Sequence, residues 1–374
     1  TRPEASSAGG VTDPALPRRA LPGRRAVWKL SVTFNGETLQ GYVLAIDARS
    51  AQERDVDAMR KAPAGPVVVF FPGHAQRPGD APGFTLSLAR GSSSGIVVVP
   101  VCDTPYGIDR TLRGDAGKEA VLMAIVRHAC GRLGVMVNDG GASGQAVIVK
   151  DGGGHAPGES MHARLAVVGW SHGALLARRF AHAYRDAVVC LGQVCPAGYA
   201  RWGGLELAGR FVRESLGMAR REHAQWPQLA RSAWGFTRGM CGDLARSVAG
   251  AVRERMPAKL LRVFRDIEDC TVFCQSPSFC ASHLDRIAVI FARDDTCMSP
   301  ARLLGCDPVL GVSERDIERF RERFFSDVTD PARIRLRILP GTHAAPVTHP
   351  GLYAAALLED MGCAVRAGSE GEGA

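Results

Sequence analysis

One serine stands out for its neighbours. In Gly169-Trp170-Ser171-His172-Gly173 it follows the apolar run Leu165-Ala166-Val167-Val168 and precedes Ala174-Leu175-Leu176-Ala177, which reads as a helix start. A G-x-S-x-G pattern between a buried strand and a helix puts the serine on a sharp turn, with its hydroxyl raised above the sheet and the glycines allowing strand and helix to approach. A serine hydroxyl is a poor nucleophile until a positioned base takes its proton. Gly341-Thr342-His343 follows the alternating segment 334–339 late in the chain and offers that base. His349 is the rival, but Pro350 and the apolar run beyond it mark His349 as the opening of a last helix. The base in turn needs a carboxylate to fix its tautomer. Asp294 and Asp295 both follow the strand-like run 287–291, and spacing does not separate them.

Charge building on an attacked carbonyl oxygen calls for backbone donors. The residue after the serine, His172, supplies one N–H. Pro72-Gly73-His74, after the run Val67-Val68-Val69-Phe70-Phe71, is the second source: Gly73 permits the turn and His74 presents its N–H. Gly73 and Trp170 border the expected substrate site, and Trp202 and Trp234 are candidates to line an apolar pocket, although aromatic residues also bury insertions onto a body.

The elements that must carry these groups are legible as runs. The uninterrupted apolar stretches 67–71, 96–99, 165–168, 187–191 and 287–291 suit strands covered on both faces, as in a parallel sheet with helices above and below. Residues 27–34 and 39–46 flank Asn35-Gly36 and predict a hairpin. Residues 118–130 carry a helical apolar stripe. The expected division is a loose arm over 1–24; a first core part over 25–196, with a Gly-rich insertion at 133–160 whose two apolar patches suggest a hairpin; a mainly helical lid over 197–283; a second core part over 284–363; and a tail over 364–374.

These segments resemble the α/β-hydrolase fold superfamily over residues 27–132, 165–196 and 285–362. The resemblance implies a mostly parallel central sheet flanked by helices with a helical lid, a serine hydrolase, and a triad in the order Ser171, Asp295, His343. Members commonly carry the acid as the fourth residue of a Gly-x-x-Asp turn. Ala292 takes the glycine position here, which favours Asp295 over Asp294. Pro72 stands where many members have His before Gly. A serine at 171 departs from the branches that use an aspartate nucleophile.

The function this implies is hydrolysis of a carboxylic ester through an acyl-enzyme. The same groups would serve an amidase, thioesterase, lactonase or acyltransferase, or a cofactor-free perhydrolase or haloperoxidase. A non-catalytic ligand-binding protein is the alternative outside enzymology. No cofactor and no metal are expected. Among 374 residues the net charge is +8, but only five of the 46 basic residues are lysines, and the arginines are scattered among acids. Neither a basic cluster nor a groove-entering motif marks a nucleic-acid partner. A small acyl substrate is the expected partner, and the oligomeric state is open. The eleven cysteines show no paired zinc spacing. Cys102, Cys130 and Cys190 read as small buried hydrophobes, whereas a pair among Cys270, Cys274 and Cys280 could oxidise. No apolar stretch is long enough to span a membrane. A chain opening on Thr1 leaves room for a removed targeting segment, so cytoplasmic and secreted or periplasmic locations both stay open.

Overall fold

The computed structural model describes residues 24–34, 37–73, 79, 81–102, 117–137, 147–150, 161–199, 206, 209–210, 213–214 and 279–364. All of the predicted arm but Arg24, all of the predicted tail but Ala364, Trp202 and Trp234, His74, and nearly all of the predicted lid lie outside these residues.

The strands are β1 (Arg24–Phe34), β2 (Glu37–Asp47), β3 (Val67–Phe71), β4 (Ile96–Cys102), β5 (Val135–Val137), β6 (Val147–Lys150), β7 (Met161–Ala163), β8 (Leu165–Trp170), β9 (Val188–Val194), β10 (Arg286–Ala292) and β11 (Ile334–Leu339). The helices are α1 (Ala51–Arg60), α2 (Pro82–Gly91), α3 (Gly117–Arg132), α4 (His172–Ala183), α5 (Pro300–Leu304), α6 (Glu314–Phe324), α7 (Ala345–Thr348) and α8 (Pro350–Asp360).

Nine strands form one sheet in the order β11-β10-β9-β8-β3-β4-β2-β1-β6. From β11 to β4 the neighbours are parallel, whereas β2, β1 and β6 continue the sheet antiparallel. This mixed, mostly parallel sheet with helices on both faces is the α/β-hydrolase fold. Alternation along the central strands explains why their sequences are apolar throughout. Val67, Val69 and Phe71 enter the core beneath α3 and α4, while Val68 and Phe70 enter the one beneath α2 and α8. Each face therefore needs its own apolar set, and period-two patterning disappears from the sequence.

The chain runs from β3 through α2 to β4 on one side, then returns to place β8 on the other side of β3. Loops after β3 and β8 thus diverge at the carboxyl edge, where open α/β sheets form their crevice. Ser171 follows β8, and Gly73 follows β3 by two residues.

The hairpin expected around Asn35-Gly36 is formed by β1 and β2, paired in continuous register from Arg24–Asp47 to Phe34–Glu37. The hairpin expected within 133–160 is not. Val135–Val137 pairs parallel with β7 in a separate two-stranded sheet, and Val147–Lys150 adds antiparallel to the β1 edge. Two short apolar patches separated by glycines suggest mutual pairing, but each found a different exposed edge, and strand partner choice is not encoded in local pattern.

The contact between β3, β8 and α4 depends on absent side chains. A Cβ on Gly173 would lie 2.0 Å from the Phe71 carbonyl oxygen and 2.4 Å from that of Pro72. One on Gly169 would lie 2.3 Å from the Gly173 carbonyl oxygen. Backbone cannot yield as a flexible side chain does, so Gly173→Ala is expected to lower the urea midpoint by an amount equivalent to about 1–3 kcal/mol. Gly79→Ala, which adds a Cβ to open space, should stay within about 0.5 kcal/mol. Parallel denaturation curves with equal slopes check the pair.

Candidate active site

Ser171 occupies the turn between β8 and α4 with φ 54° and ψ −123°. Among the described residues only Lys61 and Cys195 share a positive φ without being glycine. Such a backbone costs on the order of 1–3 kcal/mol and persists where its surroundings fix it. Here they do: Ser171 N–H donates to the Val194 carbonyl at 3.0 Å, and the Ser171 carbonyl accepts from Ala174 N–H at 3.0 Å and Ala197 N–H at 3.1 Å. A serine before a helix usually spends its hydroxyl on the first-turn amides. Ser171 makes no such cap. Its Oγ instead lies 2.9 Å from His343 Nε2.

The other face of that imidazole meets an acid. His343 Nδ1 is 2.8 Å from Asp295 Oδ2, while Asp295 Oδ1 accepts from the amides of Cys297 and Met298, each at 2.8 Å. Asp295 is 2% exposed and both His343 and Ser171 are 6% exposed, so the line of three is shielded from water. Asp294 is partly exposed and has Arg293 at 3.7 Å. His349 caps α8 and bonds through Nδ1 to Thr348 Oγ1 at 2.8 Å.

Electrostatics set the state of the His343 imidazole. Burial works against a charged imidazole, but the Asp295 carboxylate, by charge and by hydrogen bond, and the more distant Glu214 carboxylate outweigh it, so His343 is held above the ordinary histidine range. The thiols of Cys195 and Cys297, next to Asp295, are pushed up by burial and then by that carboxylate, which keeps them protonated.

Other predicted residues fall as follows. Gly73 is buried just beyond β3, and His172 is the first residue of α4. Trp170 is 4% exposed, and its indole N–H donates to the His343 carbonyl oxygen at 3.0 Å. That contact makes it a strut for the histidine loop as well as a neighbour of the serine. A cleft of about 390 Å³ is lined by Arg210, Arg213, Arg293, Asp294, Asp295, Thr296 and Ser299. Ser171 does not line it.

Sequence reasoning missed Glu214. It lies in the stretch expected to be a lid, is 2% exposed, and its carboxylate accepts from His343 N–H at 2.6 Å, Thr296 N–H at 2.9 Å and the Thr296 hydroxyl. The only signal for it in the sequence is an acid amid the apolar residues Leu207, Phe211 and Leu216, which by itself does not reveal a partner more than 80 residues away.

With Asp295 present, the His343 imidazole should titrate above about 6.5. Asp295→Asn should bring the midpoint down, because burial then acts with less opposition. NMR titration of the ring protons measures both. A midpoint unmoved by the substitution would contradict the contact.

No family model matches the chain, and no curated protein matches it. Among solved structures, it is similar to a probable hydrolytic enzyme from Pseudomonas aeruginosa PAO1 at 15% identity and a TM-score of 0.47, covering 93% of this chain and 98% of that one. It is also similar to a meta-cleavage product hydrolase from Pseudomonas fluorescens IP01 at 13% identity and 0.48, covering 89% and 97%. A thermophilic esterase from Thermogutta terrifontis gives 14% identity and 0.42, covering 90% and 97%. At such values the fold assignment stands on the strand order itself, and the chemistry on the residues of this chain.

Proposed function

We propose that this protein is a serine hydrolase that cleaves a carboxylic ester through an acyl-enzyme. The observation that carries the reading is the buried line Ser171 Oγ–His343–Asp295, with hydrogen-bond distances of 2.9 and 2.8 Å on the two sides of one imidazole.

The steps follow from that geometry. His343 Nε2 takes the Ser171 proton as Oγ bonds to the ester carbonyl carbon, and the carbonyl electrons move onto oxygen. Asp295 accepts from Nδ1–H, which leaves Nε2 as the basic nitrogen and stabilises the imidazolium once formed. The oxyanion is held by backbone donors, with His172 N–H at the start of α4, where the helix dipole also favours negative charge, and His74 N–H as the proposed pair. Collapse breaks the ester C–O bond, and Nε2–H gives its proton to the leaving alkoxide. Water then attacks the acyl-enzyme, with His343 taking its proton and returning one to Ser171 Oγ as the acid departs.

Fluorophosphonate labelling tests the nucleophile, and p-nitrophenyl esters of graded chain length test the reaction. Wild-type protein is expected to label once, at Ser171, and to turn over. Ser171→Ala should abolish labelling and reduce kcat by on the order of 10⁴–10⁶. A rate that Ser171→Ala leaves unchanged would refute the mechanism. The base must be neutral to work, so kcat/KM should rise with pH through the raised His343 value and fall away on the acidic side.

A further inference from the structure

We infer that Glu214 is a positioning residue that clamps the acid loop and the histidine loop into the register in which Asp295 meets His343. The inference rests on the serine-hydrolase reading for its effect on rate, and on the geometry alone for the clamp itself.

Asp295 and His343 come from loops after different strands, and their 2.8 Å contact requires those loops to hold their relative position. Backbone bonds join the loop bases, Arg293 N–H to the Leu339 carbonyl at 2.8 Å and Asp294 N–H to the Gly341 carbonyl at 2.9 Å. Beyond those bases, Glu214 spans the gap. One oxygen takes the main-chain N–H of His343 itself, and the other takes the N–H and hydroxyl of Thr296, the residue after Asp295. Because Trp170 holds the His343 carbonyl, both main-chain groups of the base are fixed, leaving the ring to rotate only about its own side-chain bonds.

A second side chain, from Arg210, reinforces the clamp. Arg210, four residues before Glu214 and also helical, donates to the Thr296 carbonyl at 2.8 Å. Residues at that spacing share a face, so the segment grips Thr296 by its amide, hydroxyl and carbonyl together. Arg210 is anchored by Glu206 at 3.1 Å, which also pairs with Arg302 at 3.0 Å beyond the acid loop. A carboxylate 2% exposed is costly to bury unless its oxygens are met by donors. Among the described residues no cation pairs with it, and three donors from the two loops satisfy it instead. Removing the clamp would leave the buried His343 amide without this acceptor.

Glu214 also contributes charge. The groups facing the imidazole are the Asp295 and Glu214 carboxylates, with the protonated thiols of Cys195 and Cys297 beside Asp295 and the Arg210 guanidinium on the far side of Thr296. Glu214 therefore adds to Asp295 in favouring the imidazolium, and its loss should ease deprotonation.

The test compares Glu214→Gln and Glu214→Asp with wild type, in the full chain, on p-nitrophenyl acetate across pH. Glutamine keeps the size but loses the charge and one acceptor, so one loop is released. It should lower kcat by about 10- to 100-fold, the scale of an ångström of misplacement, with KM within about twofold, and move the acidic limb of kcat/KM to lower pH. Aspartate keeps the charge but falls one methylene short, so kcat should drop while the acidic limb stays near its wild-type position. If Glu214→Gln does not fold, the aspartate variant carries the test, and wild-type kcat in it overturns the clamp. Glutamine with wild-type kcat and an unmoved acidic limb overturns it as well. A fall in thermal stability alone, with both kinetic readouts unchanged, has the same consequence, because it leaves only a packing role. Should wild-type protein neither label nor turn over, the hydrolase reading fails separately. The His343 ring titration then decides: a lowered midpoint in Glu214→Gln sustains the clamp, and an unchanged midpoint removes it.

Discussion

The backbone of Ser171 is the constraint on which the rest of the site turns. A residue with φ 54° cannot continue the strand before it or join the helix after it, so the chain reverses sharply at that point. The reversal keeps the hydroxyl off the first-turn amides of α4 and turns it toward His343. The strain needs support on both sides. Gly169 and Gly173 let β8, α4 and the end of β3 approach more closely than any Cβ would allow, and the Val194 and Ala197 main chain ties the turn to the neighbouring strand. Two glycines and one strained serine are therefore parts of a single device, and none of them can be judged alone.

The remaining groups are delivered by loops, which would ordinarily be the least precise part of an α/β fold. In this molecule they are tied to one another by main-chain bonds at their bases and by side chains at their tips. Asp295 binds the amides of the two residues starting two positions after it, folding its own loop back. Trp170, next to the serine, reaches across to the His343 carbonyl. The serine turn and the histidine loop are thus linked even without the Ser171–His343 hydrogen bond, which suits the proton exchange of the proposed chemistry.

How much of this the sequence reveals depends on whether the signal is local. The serine turn is legible because its three requirements (an apolar run, flanking small residues, a helix start) lie within a dozen consecutive residues. His343 and Asp295 are legible because each follows a strand visible in the sequence, the alternating segment 334–339 for His343 and the apolar run 287–291 for Asp295, which locates it at the carboxyl edge. The choice between Asp294 and Asp295 is not local: both follow the same strand, and only the ring placed 2.8 Å from Asp295 separates them in space. The partners of the patches at 135–137 and 147–150 were equally hidden, since an exposed edge far along the chain took each one. Glu214 is the extreme case. Its role is defined wholly by two main-chain amides and a hydroxyl contributed by distant loops, and an amide carries no side-chain identity for a sequence to display.

Main-chain donors also govern how this buried site handles its charges. Two carboxylates, Asp295 and Glu214, approach the same histidine, one at the ring and one at the main chain. Like charges in a poorly solvated place repel, and neither could persist without compensation. Compensation here comes from dipoles: two amides on Asp295, and two amides with a hydroxyl on Glu214. Fixed dipoles differ from a neutralising arginine in one respect. They satisfy the carboxylates at close range while leaving a net negative charge to act on the imidazole. A guanidinium in the same place would cancel that charge, and with it the stabilisation of a charged imidazole. On the proposed chemistry, holding these acids with main-chain N–H groups keeps their field directed at the one group that must become positive.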